Sequence, residues 1–377
     1  MNVYLDNAAT TKPDPEVVEA MLPYISDHFG NPSSTHSYGR EVKSAIEESR
    51  KSIAELLEAN PSEIYFTSGG TEADNIALCG MVDSYRIKTI ISTKIEHHAV
   101  THSLDHLQKT RGTQIFFLDL DSTGQYEGDQ LESILKDNKS TLVSLMHGNN
   151  EIGNLVSIKR IGELCREYNA YFQSDTVQTM GKYKICLHRL DIHSISGSAH
   201  KFHGPKGIGL LYLNKELKIG PYFHGGGQER EMRPGTENVA GIVGLAKALE
   251  TANEDLETKQ EYISALKDRL INRLKEQIPG VTFNGLSGDL NKSLFNIINM
   301  RLPGHHKSDM LLFQLDLKGI SASGGSACGS GALVGSHVLN AIQPDDEGTS
   351  IRFSLSKFNT PEEVDYAANT LADMIVK

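Results

Sequence analysis

Long apolar runs, a dense cysteine pattern and an excess of positive charge are all missing from this sequence, and each absence excludes a class of protein. No run approaches the roughly 18 apolar residues that a membrane span needs. The four cysteines among 377 residues form no CxxC pair and no disulfide framework, which is typical of a reducing cytoplasm. The net charge of −11 opposes general attraction to nucleic acid or to anionic membranes.

The beginning of the chain points the same way. Its first residues, MNVYLDNAATTKPDP, lack the basic start and apolar stretch of a secretory signal peptide. We therefore expect a cytoplasmic protein with no nucleic-acid and no membrane partner. Cys79, Cys165 and Cys186 are expected to be small buried hydrophobic residues, because each lies among apolar neighbours.

Between residues 64 and 213, short apolar strands alternate with helical patterns. This alternation predicts an α/β fold with a mostly parallel, seven-stranded sheet between helices, in which ligands bind at the carboxyl ends of the strands. The predicted strands are Ile64–Thr67, Thr89–Thr93, Gln114–Leu118, Thr141–His147, Ala170–Ser174, Ile192–Ser196 and Gly207–Leu213. The predicted helices include Ser37–Ala59, Thr71–Tyr85, Ala99–Thr110 and Ile158–Tyr168.

The pattern changes after a charged helix predicted over Asp255–Gln277. Short strands around Asn296–Met300 and Ser350–Leu355 then mix with helices near 308–318 and 360–376, the last beginning with a capping-box sequence, Thr-Pro-Glu-Glu. We predict a large domain over residues 13–254 and a smaller α+β domain formed by residues 1–12 and 255–377. A chain of 377 residues is long enough for two cores.

Two strand ends carry motifs that suit an anionic, ring-shaped ligand. In FTSGGTEADN a Gly-Gly turn leads into a helix at Thr71, and its free backbone N–H groups suit a phosphate, although an ordinary capped turn fits as well. Asp175 follows an apolar strand, where a half-buried carboxylate needs a cationic partner or caps a helix. Gln178 is either a second donor or part of a capping box.

Two further strand ends carry a lysine and a set of polar residues. Lys201, in SAHKFHGPKG, has neighbours that would desolvate its amine, and desolvation lowers a lysine pKa and makes the amine nucleophilic. Asn149, Asn150 and Glu151 follow another strand as site donors or as turn residues. A phosphate cradle, a carboxylate, a desolvated lysine and strand-end donors together predict a pyridoxal 5′-phosphate site.

The chain resembles the cysteine desulfurases of the NifS/IscS type, which are group I members of the class V aminotransferase family on fold type I of pyridoxal-phosphate enzymes. The resemblance runs from end to end and implies conversion of L-cysteine to L-alanine, with the sulfur carried as a persulfide to an acceptor such as an iron–sulfur scaffold. The segments that carry it are YLDNAATT (4–11), FGNPSSTHSYG (29–39), FTSGGTEADN (66–75), HGNNEIG (147–153), SAHKFHGPKG (198–207), HGGGQEREMRPGTEN (224–238), SASGGSACGSG (321–331) and IRFSLSKF (351–358).

The resemblance also implies roles for individual residues, and it implies no metal. Lys201, Cys328 and His97 would be catalytic: Lys201 would bind the cofactor covalently, Cys328 would carry the persulfide, and His97 would stack on the cofactor ring. Asn150 and Arg352 would bind the substrate carboxylate. The cofactor-binding residues would be Gly70, Thr71, His97, Asn150, Asp175, Gln178, Ser198, His200, Lys201 and Thr236.

Three of these roles have further consequences. Thr236 would reach the phosphate of the neighbouring subunit, so the resemblance implies a homodimer. Arg352 alternates with the apolar Ile351 and Phe353, so it points away from the core face, toward a ligand or toward solvent. Cys328 lies in a stretch of Gly, Ala and Ser that buries nothing large and can travel to an acceptor.

Three alternatives stay open from the sequence. A selenocysteine lyase or a cysteine sulfinate-type lyase would use a related site. A zinc protein is a second alternative, because His98, His102 and His106 share one helix face, but the third is too distant for a compact site. A nonenzymatic binding module on the same fold is a third, and the presence of both Lys201 and Asp175 speaks against it.

Overall fold

The structure is a computed structural model that describes residues 1–304, 308–324, 335–344 and 348–376. Its strands are β1 (Val3–Tyr4), β2 (Ile64–Thr67), β3 (Thr89–Ser92), β4 (Gln114–Phe117), β5 (Thr141–Ser144), β6 (Tyr171–Asp175), β7 (Ser194–Ser198), β8 (Gly209–Leu213), β9 (Thr282–Phe283), β10 (Ile297–Leu302), β11 (Ile320–Ser321), β12 (Ser323–Gly324) and β13 (Thr349–Ser354). Its α-helices are α1 (Pro15–Ser26), α2 (Ser37–Leu56), α3 (Gly70–Tyr85), α4 (His98–Arg111), α5 (Gly128–Asp137), α6 (Ile158–Glu167), α7 (Val239–Asn253), α8 (Leu256–Gln277), α9 (Ser308–Leu317), α10 (His337–Ile342) and α11 (Pro361–Ile375).

The central sheet has the predicted seven strands, in the order β2-β8-β7-β6-β5-β3-β4. Only β8 among them runs against its neighbours, and the other pairings of the sheet are parallel. The strand predicted to reach His147 ends at Ser144, yet the His147 N–H still donates to Asp175 O at 2.9 Å. The mostly parallel sheet is therefore confirmed, and the differences are confined to strand ends.

Both faces of the central sheet are covered, as the continuous apolar strands predict. Neighbouring residues of one strand enter different cores: Ile91 and Val143 pack with α2, α6 and α7, whereas Ile90 and Leu142 pack with α3 and α4. Successive strand residues point to opposite faces, so each face receives a full row of apolar side chains. Burying one such side chain contributes about 1.5–3 kcal/mol.

A second core lies on an antiparallel sheet of order β12-β13-β10-β9, against which α8 and α11 pack. The first residues of the chain join it, because β1 pairs in parallel with β11 and brings Val3 and Leu5 into the same cluster. The predicted capping box opens α11, where Thr360 Oγ1 accepts from Glu363 N. Among the described residues, none of the helices combines the length and the apolarity of a membrane span.

Candidate active site

The carboxyl ends of the parallel strands open into a cavity of about 300 Å³. Of the eleven assigned site residues that the structure describes, ten line this cavity. They come from separate strand ends and loops: Gly70, Thr71, His97, Asn150, Asp175, Gln178, Ser198, His200, Lys201 and Arg352. The topology therefore gathers side chains that lie up to 282 residues apart in sequence, from Gly70 to Arg352.

Lys201 ends a short 3₁₀ turn, Ala199–Lys201, that follows β7 directly. Its Nζ donates to the backbone carbonyl oxygens of Ala8 at 2.6 Å and Ala9 at 2.8 Å. The side chain is half-buried, so the amine is held at the wall of the cavity rather than extended into solvent. An amine in this position is suited to covalent attachment of a carbonyl cofactor.

Asp175 is the last residue of β6 and is 6% exposed. Burial raises the pKa of its carboxyl to about 6, while the hydrogen bond from Val177 N (2.8 Å) and the Lys201 ammonium oppose that rise. No helix follows Asp175, so the capping alternative is wrong and the carboxylate faces the cavity. A buried carboxylate in this place fits a protonated pyridine nitrogen, whose charge would keep it ionised.

The first turn of α3 forms an anion cradle. Gly69 is the N-cap and has no side chain to bond the free N–H groups of the first turn. The turn packs tightly on its surroundings, since a Cβ at Gly70 would lie 2.6 Å from Val177 Cγ2 and one at Gly209 would lie 2.6 Å from Gly69 Cα. Backbone N–H groups here, with the side chains of Ser198 and His200 on the same cavity, fit a phosphate group.

His97 is the N-cap of α4, two residues before the helix start that the sequence predicts. Its Nδ1 accepts a hydrogen bond from Ala99 N at 3.1 Å, so a neutral ring carries its proton on Nε2. Burial, and next the charge of Lys201, lower the pKa of His97 to about 4. The imidazole is therefore neutral at physiological pH, and its flat face can stack on an aromatic ring without bringing a charge into the cavity.

Arg352 lies on β13 and is 2% exposed, so the solvent-facing alternative is wrong. The predicted alternation holds, because Ile351 and Phe353 enter the second core. Its Nη1 donates to Asn150 O at 2.8 Å and its Nη2 to Asp6 Oδ1 at 2.9 Å. Its Nε is buried and meets no hydrogen-bond partner in the described part of the chain. Unused guanidinium donors beside the cavity fit a substrate carboxylate.

The polar residues after β5 divide between structure and site. Asn149 is a turn residue: its Oδ1 accepts from Glu151 N at 2.8 Å and Ile152 N at 2.9 Å, and its Nδ2 donates to Ile95 O. Only Asn150 of the three predicted residues lines the cavity. Glu151 is buried instead, and it accepts a hydrogen bond from Ser336 Oγ just before α10.

Two buried acids near the site were not expected from the sequence. Asp74 lines the cavity, accepts from Gln173 Nε2 at 3.0 Å, and has a pKa raised by burial and by the charge of Asp175. Burial raises the pKa of Glu96 to about 8. The sequence offers one signal that Asp74 is buried: it lies beside Ala73 on the otherwise apolar side of α3.

Among the described site residues, Thr236 does not line the cavity. Thr236 is exposed and lines a separate pocket with Ser68 and Gly207. Cys328 lies outside the described residues, which bracket it with β12 and α10. Cys79 and Cys165 are buried as predicted. The prediction for Cys186 is wrong, because that thiol is partly exposed and lies beside the Glu58 carboxylate near the surface.

The histidines considered for zinc do not form a metal site. The rings of His98 and His102 stack at 4.8 Å, and His98 also contacts the ring of His337 at 4.3 Å. Within the described ranges, no group of three or more His, Cys, Asp or Glu side chains is placed to hold a metal ion. The zinc alternative therefore has no support in this part of the chain.

Comparison with known proteins gives matches over the whole chain. The model of the family described as aminotransferase class-V matches residues 3–367. The chain is similar to a cysteine desulfurase IscS of Clostridium botulinum, with 44% identity over 99% of this chain and 94% of the relative. It is 43% identical to the IscS of Dictyoglomus turgidum over 100% of this chain and 95% of the relative. A solved NifS-like protein superposes with a TM-score of 0.91 and 36% identity over both complete chains.

Proposed function

The chain belongs to the class V aminotransferase family and is a pyridoxal-phosphate-dependent cysteine desulfurase, and we propose how its own residues carry out this reaction. The enzyme converts L-cysteine to L-alanine and transfers the sulfur to an acceptor. One observation carries the proposal for the site: ten residues that the sequence selects line a single cavity at the strand ends.

The residues present fit the cofactor, and each has a definite task. Lys201 would hold it covalently, and Asp175 would pair with the pyridine nitrogen. The first turn of α3, with Thr71, Ser198 and His200, would hold the phosphate, and the neutral His97 ring would stack on the pyridine. When bound, the cofactor supplies an electron sink for the carbon skeleton of the substrate.

Arg352 and Asn150 orient the substrate. The guanidinium is already fixed by Asp6 Oδ1 and Asn150 O, and Arg352 lines the cavity. A fixed guanidinium loses little rotational freedom when it binds a carboxylate, so it positions the α-carbon of cysteine near Lys201.

The sulfur step oxidises both sulfur atoms from the thiol to the persulfide level, and Cβ of the substrate takes up the two electrons. The Cys328 thiolate attacks Sγ of the substrate, so an S–S bond forms and the Cβ–Sγ bond breaks. The electron pair of the broken bond stays with the carbon fragment, which takes up a proton at Cβ and leaves as alanine. Cys328 then carries a persulfide, which it passes to an acceptor such as an iron–sulfur scaffold protein.

A homodimer completes the proposed site. Thr236 is exposed and lies outside its own cavity, where a residue that serves the neighbouring subunit is expected. A stripe along α1 and the following loop is also exposed: Val18, Leu22, Ile25 and Phe29 are 43%, 54%, 64% and 74% exposed. A patch of this kind is typical of a protein–protein interface.

We also propose a division of the chain into two domains and a cytoplasmic location. The second core, which contains Val3 and Leu5 together with side chains from 263 onward, supports a small domain formed by residues 1–12 and 255–377 around a large domain of 13–254. The free thiols of Cys79, Cys165 and Cys186 support a reducing, cytoplasmic location.

The proposal is tested with cofactor-loaded enzyme, L-cysteine and no reductant. Peptide mass spectrometry is expected to find one added sulfur on Cys328, with alanine released in equal amount. The matched controls are Cys328→Ser, which is expected to release no alanine, and Cys186→Ser, which removes the partly exposed thiol and is expected to behave like the wild type.

Two outcomes would contradict the assignment of Cys328. An added sulfur on Cys186 in place of Cys328 would move the persulfide to another thiol. Cofactor bound at Lys201 with no alanine and an unmodified Cys328 would remove sulfur transfer from cysteine altogether. Selenocysteine would then be the first substrate to test, because a selenocysteine lyase uses a related site.

A further inference from the structure

Lys182 lies one turn beyond Gln178 and is not among the residues that line the cofactor cavity. Its Nζ donates to Gln178 O at 2.9 Å and lies 3.5 Å from Gln178 Oε1. Gln178 is 4% exposed, and its Nε2 donates to Ala8 O at 3.0 Å. The same Ala8 carbonyl accepts from Lys201 Nζ at 2.6 Å. A chain of polar contacts therefore connects Lys182 with the lysine of the site.

These contacts determine which way the Gln178 amide faces. A glutamine amide has an acceptor oxygen and a donor NH₂ group, and a 180° flip exchanges them with almost no change in shape. The Lys182 amine can donate to Oε1, whereas the Ala8 carbonyl can only accept from Nε2. Burial lowers the pKa of Lys182 to about 7, but both protonation states carry at least two N–H donors. The arrangement therefore favours one orientation.

We propose that Lys182 is a positioning residue that acts through Gln178, holding the amide with Oε1 away from the cofactor and Nε2–H toward it. The inference rests on the proposed function, in which Gln178 faces the phenolic oxygen of the cofactor ring. An N–H donor stabilises the ionised form of that oxygen, whereas a flipped amide would present an acceptor and destabilise it.

The expected consequence is a shift in the titration midpoint of the bound cofactor, which is the pH at which its visible absorbance has changed by half. Replacing Lys182 by Met keeps a similar length but removes every donor that faces Oε1, so only the Ala8 carbonyl is left to oppose a flip of the amide. Loss of one hydrogen bond to a charged acceptor corresponds to roughly one pH unit in the midpoint of that titration. We expect Lys182→Met to raise the midpoint by this amount and Lys182→Arg, which keeps donors, to restore most of it.

The experiment is a double-mutant cycle on cofactor-loaded enzyme, followed by the visible absorbance of the cofactor as a function of pH. The variants are Lys182→Met, Gln178→Ala and the double variant. If Lys182 acts through the amide, Lys182→Met is expected to shift the midpoint in the wild-type background and to add almost nothing in the Gln178→Ala background. A direct effect of the lysine charge would be the same in both backgrounds.

An equal shift in both backgrounds would overturn the inference, and so would a midpoint that Lys182→Met leaves unchanged. If Lys182→Met does not fold, Lys182→Leu takes its place in the same cycle, because leucine also has no donor for Gln178 Oε1. If replacing Lys201 leaves the visible absorbance of the bound cofactor unchanged, the proposed function is wrong, and the inference is wrong with it.

Discussion

Glu96 gives the clearest pH-dependent prediction. The side chain is 1% exposed, and its Oε1 accepts from Thr93 Oγ1 at 3.0 Å and from Met146 N at 3.1 Å. Its Oε2 is buried and has no hydrogen-bond partner in the described ranges. Burial raises its pKa from 4.5 to about 8, and the charge of Asp175 adds to the rise. Between pH 4.5 and about pH 8, Glu96 therefore keeps a proton in the folded protein that it releases in the unfolded chain.

The sign of the effect follows from that difference. Below the unfolded pKa, Glu96 is protonated in both states and imposes no penalty. As the pH rises from about 4.5 to about 8, the unfolded state gains stability from ionisation while the folded state does not, so the free energy of unfolding falls. A gap of about 3.5 pKa units corresponds to at most about 5 kcal/mol, of which about 4 kcal/mol develops between pH 5 and pH 9.

Replacing Glu96 by Gln removes the titration and keeps the shape. With about 2.1 cal/mol/K of unfolding entropy per residue, 4 kcal/mol in a chain of 377 residues corresponds to roughly 5 °C in Tm. We expect Glu96→Gln to gain about that much in Tm over the wild type between pH 5 and pH 9, measured by thermal unfolding of cofactor-loaded enzyme. The control Glu167→Gln removes one exposed charge at the end of α6 and is expected to show no such gain. Parallel Tm curves for Glu96→Gln and the wild type would refute the reasoning.

Three further predictions concern other parts of the site and the core. Arg352→Lys is expected to raise the KM for cysteine by about 10-fold or more in steady-state kinetics, because lysine lacks the guanidinium fork. Arg50→Met leaves Glu229 buried without its 2.7 Å ion pair and is expected to lower the free energy of unfolding by about 3–5 kcal/mol, with partial recovery in the double variant that adds Glu229→Leu. Gly209→Ala is expected to weaken cofactor binding in equilibrium dialysis, because its Cβ would lie 2.6 Å from Gly69 Cα.

For each of these three predictions, one experimental outcome would contradict the reasoning. An unchanged KM for Arg352→Lys would mean that the guanidinium does not bind the substrate carboxylate. If the Arg50→Met and double variants were equally unstable, the loss would come from packing rather than from the unpaired Glu229. Cofactor binding by Gly209→Ala at wild-type affinity would show that the first turn of α3 can shift without losing the phosphate.

The central sheet and the polar residues at the ends of its strands could be predicted from the sequence alone. A strand buried on both faces has to be apolar throughout, so the first polar residue after it marks the sheet edge. Asp175 and Lys201 both follow such strands, and parallel strands bring their carboxyl ends to one edge. The same reasoning located Asn150 near the site but did not separate it from Asn149, because both follow the strand and only the turn hydrogen bonds distinguish them.

Residues whose role depends on packing between distant segments were not predictable in this way. Glu96 precedes the predicted His97, but its raised pKa depends on burial against other loops. Lys182 lies in an unremarkable Gly-Lys-Tyr sequence, and its contact with Gln178 requires the turn after β6. The pattern showed which face Arg352 occupies, but not that another layer of the protein covers that face.

The segment from Asp6 to Ala9 shows why the remaining information is distributed over the chain. Asp6 binds the guanidinium of Arg352, 346 residues away, and the carbonyls of Ala8 and Ala9 accept hydrogen bonds from Lys201. The segment is held in place because β1 pairs with β11 and because Asn7 Nδ2 donates to Ser354 O at 2.8 Å. Backbone carbonyls carry no sequence signature, so these contacts arise from where the chain passes and not from which side chains it bears. The first residues of the chain therefore connect Arg352, the residue proposed to bind the substrate, to Lys201, the residue proposed to bind the cofactor.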